Sequence, residues 1–463
     1  MKQFQLVIIG SGPGGYVAAI RAGILGLETA LVEKDPFLGG TCLHRGCIPT
    51  KALLHTAEIY DQLAHVADHG IDVEGVALDV PRVHARKRAV VDKLAKGVRF
   101  LMKKRNVTML HGHGSFVDAH TIRVAGPSGE ETVRAEHVII ATGSTPADLP
   151  HIKADGKAVI NSDQILALEE VPAALAVIGS GAVGAEFASI FASFGSKVHL
   201  IEILPRLLPI EDDDCSAQLE RSFKGRGIAC YTGAEVTAVK TAGAGPRLEM
   251  KRGGEQSTLE VDRVLLAAGR RPVLDGLGHE GIGLELAGRH VAVDEFMRTN
   301  VPGVYAIGDV VPTPALAHVG SKEGTLAVDH IAGKHVRAID YGKVPNCTYA
   351  SPEVASVGLT ERAAREKGLE VRVGKFPFSA IGKAMILGET AGFIKIVSEA
   401  RYDEVLGVHI IGPKATELIA EATLGMNLET TVEEVAQTIH AHPTLSEAML
   451  EAAHAVYGES IHA

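Results

Sequence analysis

Two stretches decide the fold, Leu6-Val7-Ile8-Ile9-Gly10-Ser11-Gly12-Pro13-Gly14-Gly15 and Leu175-Ala176-Val177-Ile178-Gly179-Ser180-Gly181-Ala182-Val183-Gly184. Each is a short apolar run that ends in a glycine cluster. An alanine-rich helical segment follows each, over 16–26 and 185–195, and then a second strand that ends in an acid, Glu33 or Glu202. In both copies the acid stands 18 residues beyond the last glycine, and the copies are 169 residues apart. Strand, glycines, helix and acid at matched spacing describe two openings of doubly wound parallel sheets. Gly10 and Gly179 allow the tight turn, Gly12 and Gly181 let backbone approach a pyrophosphate, and Gly15 and Gly184 let helix pack on strand. Pro13 and Gly14 complete the first helix start, where unpaired N–H groups attract phosphate. Glu33 and Glu202 are placed to accept hydrogen bonds from a ribose. A carboxylate at Glu202 repels a 2′-phosphate, so NAD is expected there; Arg206, four residues on, makes that exclusion incomplete.

Working outward, 463 residues at roughly 150 per domain suggest about three domains. The 46% hydrophobic and 22% charged composition is that of a globular chain, and excludes disorder or a coiled coil as the main architecture. A net charge of −10 argues against a large nucleic-acid footprint. Five cysteines are too few for a disulfide-stapled secreted scaffold. The first residues show no secretory signal, and no apolar stretch is long enough to span a membrane, so a cytoplasmic location is expected.

Three further apolar runs resemble closing strands: 137–140, followed by Ala141-Thr142-Gly143; 263–272, broken by glycine after Ala268, at Gly269; and 304–307, followed by Gly308-Asp309. Beyond 345 no glycine fingerprint recurs. Strands over 392–397 and 404–411, then helices over 415–426 and 445–457, suggest a separate α+β domain. The fold expected is therefore α/β, two Rossmann-like doubly wound dinucleotide-binding domains (1–147 and 148–272), a central segment completing the first site (273–344) and a C-terminal α+β domain (345–463). His111-Gly112-His113-Gly114 reads as a loop, and no metal site is expected.

The chemistry centres on Gly39-Gly40-Thr41-Cys42-Leu43-His44-Arg45-Gly46-Cys47-Ile48-Pro49-Thr50-Lys51. On a straight helix, Cα atoms five residues apart lie roughly 8–9 Å from each other, and a disulfide needs about 7 Å or less. A bond between Cys42 and Cys47 therefore requires a break, which Gly46 permits. The pair can be read as structural thiols, as part of a zinc site with His44, or as a redox-active disulfide. Nine residues after Glu33, the cysteines lie within reach of whatever the first fingerprint binds. Two-electron disulfide chemistry coupled to a nicotinamide needs a relay, and flavin is the usual one. This assigns FAD to the first site and NAD to the second.

With the two fingerprints, Cys-x4-Cys, Gly308-Asp309 and the run His440-Ala441-His442-Pro443-Thr444-Leu445-Ser446-Glu447, the chain resembles the class I pyridine nucleotide–disulfide oxidoreductases along essentially its whole length. The resemblance implies a homodimer that oxidises protein-bound dihydrolipoamide with NAD, its partners being the lipoyl domains and E2 core of a 2-oxoacid dehydrogenase complex. It makes Cys42 the interchange thiol and Cys47 the flavin-facing thiol. Lys51 lies near the flavin and pairs with Glu186. His442 is the acid/base, oriented by Glu447 and supplied by the other subunit. Thr41, Ala141, Thr142, Gly143, Gly308, Asp309 and Ala317 join the FAD contacts, and Glu186, Ala268 and Gly269 the NAD contacts. Alternatives are a reductase of a small disulfide, a transhydrogenase or oxidase without dithiol chemistry, and a flavoprotein that serves chiefly in assembly.

Two residues keep a second reading. Thr444-x-x-Glu447 is also a capping box, so Glu447 can serve a helix start instead of His442. Arg45, between the cysteines, could lower a thiol pKa or point outward.

Overall fold

The computed structural model describes residues 1–241 and 245–462, which form two compact units. The first gathers Met1–Ala52, Pro81–Ala147 and Arg270–Tyr341; the second gathers Leu53–Val80, Asp148–Gly269 and Gly342–Ala463.

The first unit is built on a seven-stranded sheet. Strand β1 (Lys2–Ile9) runs into helix α1 (Pro13–Ile24) and strand β2 (Thr29–Glu33). Next come the short helix α2 (Gly40–Arg45), helix α3 (Cys47–Leu63), which from Leu53 onward belongs to the other unit, the long helix α4 (Val80–Lys104) and strand β3 (Thr108–His111). β1 lies parallel to β2 on one side and to Gly129–Ile140 on the other, and β2 is parallel to β3. Val304–Ala306 adds a further parallel strand on Gly129–Ile140. Leu6, Val7 and Ile8 are fully buried, as are Val138, Ile139 and Ile140. Such continuous apolar runs belong to parallel strands covered on both faces. Gly14, Gly15, Ala18, Ala19 and Ala22 form the buried side of α1, and their small size lets the helix lie close to its neighbours.

The second unit opens the same way. Ala174–Ile178, helix Ala182–Ser193 and Lys197–Glu202 lie in a five-stranded all-parallel sheet that Ala229–Thr232, Arg263–Leu266 and Val159–Asn161 complete. A second, antiparallel sheet of five strands spans Asn346–Thr348 to Val405–Gly412, and helices Ala415–Asn427 and Glu447–Val456 follow it. Its apolar residues, Phe376, Ile394, Ile396 and Ile410 among them, form one core with Ala448 and Ala452. Among the described residues no helix is long and apolar enough to cross a membrane.

The run 263–272 divides at its glycine, as expected, but its two pieces do not close one sheet. Arg263–Leu266 stays in the second unit, whereas Arg270–Pro272 pairs antiparallel with Ser144–Pro146 in the first. Gly269, at φ +102°, turns the chain between them. His111 and His113 do not share a loop either. They end β3 and begin strand His113–Asp118, with Gly112 alone between them.

Candidate active site

The two glycine turns are near copies in three dimensions. Gly10 and Gly179 take φ of +106° and +99°, a region open to glycine at little cost. A Cβ on Gly15 would stand 1.9 Å from the Gly10 carbonyl oxygen, and one on Gly184 would stand 1.9 Å from that of Gly179. Each helix begins on an extended glycine, Gly12 or Gly181, with no side-chain cap. Nothing lies within 4 Å of where a Cβ on either would be. Uncapped helix N–H groups therefore face open space, which fits a pyrophosphate in both places. Each closing acid is held alike. Glu33 Oε2 accepts from the Ser11 N–H (2.8 Å) and hydroxyl (2.6 Å), and Glu202 Oε2 from the Ser180 N–H and hydroxyl (both 2.8 Å). Arg206 is taken by Asp213 and by the Pro209 carbonyl (2.7 Å). The cation that left NAD selectivity open at the sequence level is thus already engaged.

Over the first cradle the chain adds a second layer. A Cβ on Gly14 would come within 3.0 Å of the Gly320 carbonyl, and one on Gly324 within 2.6 Å of the Gly14 carbonyl, so helix Ala317–Ile331 lies directly on α1. Gly308 and Asp309 form a one-turn helix. The Gly308 N–H donates to Glu323 Oε2 at 2.6 Å, and the Tyr341 hydroxyl donates to Glu323 Oε1 at 2.9 Å. Glu323 is fully buried. Burial raises its pKa, against the opposing pull of those donors. The Ser144 hydroxyl donates to Asp309, and Arg270 Nε donates to Ser144 Oγ at 2.7 Å. Ala141 follows strand Gly129–Ile140 and packs on Gly10, and Gly143 accepts the Val273 N–H. Between them the Thr142 hydroxyl is buried with no protein partner. Ala317 is the first residue of its helix, which has no side-chain cap. An open glycine, an orphaned hydroxyl and an uncapped helix start suit an extended dinucleotide. Ser144, Arg270, Glu323 and Tyr341 were not foreseen: Ser144 and Arg270 join partners 126 or more residues away, Glu323 acts on the Gly308 main chain, and Tyr341 acts on Glu323.

The cysteine loop is fastened to this cradle. The Gly39 N–H donates to the Ser11 carbonyl at 3.0 Å. A Cβ on Gly40, at φ +58°, would stand 2.6 Å from Gly12 Cα, and Thr41 is the next residue. Cys42 is in α2 and Cys47 begins α3, with the helical break at Gly46 between them. Both are half-buried thiols. Cys42 is raised far above an ordinary thiol by its hydrogen bond with Cys47, by burial and by repulsion between the two sulfurs; the Lys51 charge and the Cys47 N–H act the other way. The two sulfurs therefore influence each other's ionisation. Lys51, one turn beyond Cys47, is the cation that acts on Cys42. Arg45 pairs with Asp35 (2.7 Å), while His44 bonds the Leu38 carbonyl and stacks on Phe37.

In the second unit, Glu186 is buried on helix Ala182–Ser193 and accepts the Tyr349 N–H at 3.0 Å. Ala268 and Gly269 follow Arg263–Leu266, beside the turn at Gly179. His442 Nδ1 meets Glu447 Oε1 at 2.8 Å, while Glu447 Oε2 accepts the Thr444 N–H at 2.8 Å. One oxygen serves His442 and the other the Thr444 main chain, but the helix starts at Glu447 with Ser446 before it and no side-chain cap. Thr444 Oγ bonds the Ala441 carbonyl instead, so the capping box does not form. Burial opposes ionisation of Glu447, but the Thr444 N–H and His442 outweigh it and hold the carboxyl below its ordinary range.

Comparison with known proteins agrees with this geometry. The family model for pyridine nucleotide-disulphide oxidoreductases matches residues 4–324, and that for the family's dimerisation domain matches 344–453. The chain belongs to this family. It is 46% identical over 472 residues to a dihydrolipoyl dehydrogenase of Bacillus subtilis (strain 168), covering 99% of each chain. It is 43% identical over 480 residues to one of Rhizobium etli, covering 100% of each. Among solved structures it is similar to LpdA from Mycobacterium tuberculosis, with a TM-score of 0.90 at 29% identity, covering 98% of this chain and 99% of that one. The chain is an oxidoreductase that uses FAD and NAD, and its C-terminal domain is a dimerisation domain.

Proposed function

We propose that this protein oxidises protein-bound dihydrolipoamide to lipoamide with NAD as acceptor, as the dehydrogenase component of a 2-oxoacid dehydrogenase complex in the cytoplasm. One observation carries the reading. The cysteine loop is locked to the first nucleotide cradle, Gly40 against Gly12 and Gly39 on Ser11, so a dithiol/disulfide couple stands beside the FAD site.

Starting from a Cys42–Cys47 disulfide, a substrate thiolate attacks Cys42 Sγ and Cys47 leaves. The second substrate thiolate then displaces Cys42, releasing lipoamide and leaving a dithiol that holds two electrons. His442 takes the substrate proton, and Glu447 fixes its tautomer and stabilises the imidazolium. Lys51 stabilises the thiolate charge on the pair. The first cradle with Gly308, Asp309 and Ala317 would hold FAD, which when bound would supply the two-electron relay between the dithiol and NAD. The net change is dithiol plus NAD⁺ to disulfide plus NADH and H⁺.

His442 serves the cysteines of the other subunit of a homodimer. Its side chain is 78% exposed, and Ile439 beside it is 96% exposed. An apolar residue so placed suits a face that a second copy covers. The test is Cys42→Ser. It should abolish dihydrolipoamide turnover while NADH oxidation by an artificial acceptor persists; retained lipoamide turnover contradicts the proposal.

A further inference from the structure

The chain carries an excess of ten acids, yet helix α4 holds nine lysines and arginines against one acid, Asp92. In its second half the asymmetry is complete, with five cations and no acid over 93–104, and Arg105 follows directly. Lys93, Lys96, Arg99, Lys103 and Lys104 have no carboxylate partner within ion-pair distance among the described residues. Some cations elsewhere, Arg21, Arg298 and Lys395 among them, sit on carboxylates. Lys96, Arg99 and Lys103 line a surface pocket of about 630 Å³ with Phe100 and Met109. Phe100 is 63% exposed and Met109 46% exposed.

The opposite face of α4 explains why this location matters. Val98 and Met102 pack in one core cluster with Leu38, Leu43 and Ile48, the residues that precede, separate and follow the two cysteines. The basic face is the outer side of the helix that backs the redox loop. An aromatic in a pocket rimmed by unpaired cations has the anatomy of a protein-docking site. Its charge is opposite to that of an acidic partner and to that of the rest of this chain.

We infer that the outer face of α4 docks an acidic protein domain, namely the carrier that presents the dithiol, with Phe100 as its apolar anchor. This deepens the proposed function and rests on it. A mobile carrier must find the site at low concentration, and clustered charge raises encounter rates. Free dihydrolipoamide is uncharged and gains nothing from the patch. The carrier is favoured over a nucleic acid because the basic surface is one helix face around an exposed aromatic, not the extended cationic footprint that a duplex requires.

The test uses the FAD-loaded dimer, with an isolated acidic lipoyl domain and free dihydrolipoamide as alternative substrates. Lys96→Glu/Arg99→Glu/Lys103→Glu should lower kcat/KM for the domain about 10-fold, within the range of electrostatic steering. It should also flatten the salt dependence, with turnover of free dihydrolipoamide unchanged. Phe100→Ser should weaken the domain reaction in the same selective way, with its salt dependence retained. Equal losses on both substrates, or none on either, overturn the inference while leaving the function intact. So does a variant that loses only DNA binding, measured with a short duplex. A wild-type protein inactive on both substrates overturns the function, and the inference with it.

Discussion

The two nucleotide cradles share one plan and differ in what lies over them. Turn, open helix start and serine-held glutamate repeat almost atom for atom. In the first, the position after Pro13 is glycine, and helix Ala317–Ile331 presses on it. In the second, the equivalent position is Val183, which is 38% exposed. A roofed cradle retains its nucleotide through many turnovers, and an uncovered one exchanges it each cycle. The same motif thus serves a resident cofactor in one place and a co-substrate in the other.

Gly14→Val should break this contrast most severely. Its Cβ meets backbone at Gly320, which has little room to move, and overpacking of this kind costs about 1–3 kcal/mol or more. FAD should be lost on gel filtration, read as the ratio of flavin to protein absorbance. The reciprocal Val183→Gly should keep the flavin and change the KM for NAD by less than about threefold. Retained flavin in Gly14→Val would refute the roof.

The half-reactions on either side of the flavin separate next. His442→Gln should slow dihydrolipoamide turnover by about 10²–10⁴-fold if it is the general base, with NADH oxidation by an artificial acceptor unchanged. An equal effect on both would move His442 out of the dithiol half-reaction.

A smaller effect is expected from the acids. Glu202→Ala should narrow the preference for NAD over NADP by about 10-fold, since a charge-assisted hydrogen bond is worth about 1.5–3 kcal/mol. FAD content should not change, whereas Glu33→Ala should lower it. Because Asp213 occupies Arg206, adding Asp213→Asn to Glu202→Ala should bring NADP use higher still. Steady-state kinetics with both nucleotides checks this, and no further gain would mean that Arg206 cannot reach the phosphate.

The smallest effect concerns Glu447. Its carboxyl is held below its ordinary value, so its stabilising contribution is present above the unfolded pKa and disappears as pH falls through the folded one. In Glu447→Gln the decline of Tm below about pH 4.5, near the ordinary glutamate value, should be slightly shallower than in wild type. Parallel curves would mean that the His442 and Thr444 bonds leave no net shift.

Sequence periodicity reveals whatever is local. The glycine turns, the acids 18 residues on, the need for a break at Gly46 and the His442–Glu447 spacing are all short-range. The roof over the first cradle is not, because Ser144, Arg270 and Asp309 meet only after the chain has left the first unit and returned. In the run 263–272 the glycine break is legible, but not that the piece beyond Gly269 pairs in a different sheet. Spacing also posed Glu447 as a choice between cap and dyad; the helix starts at Glu447 itself without a side-chain cap, and the oxygen not on His442 holds the Thr444 N–H ahead of it. The net charge of −10 concealed the basic face of α4, since a sum carries no position.

The visible spectrum of the protein after two-electron reduction by dihydrolipoamide tests most directly whether the cysteine pair and the flavin are in contact. The account predicts a broad long-wavelength band that grows with one equivalent of substrate and is absent in Cys47→Ser. A wild-type protein that holds FAD but shows no such band, or a band that survives in Cys47→Ser, would contradict it.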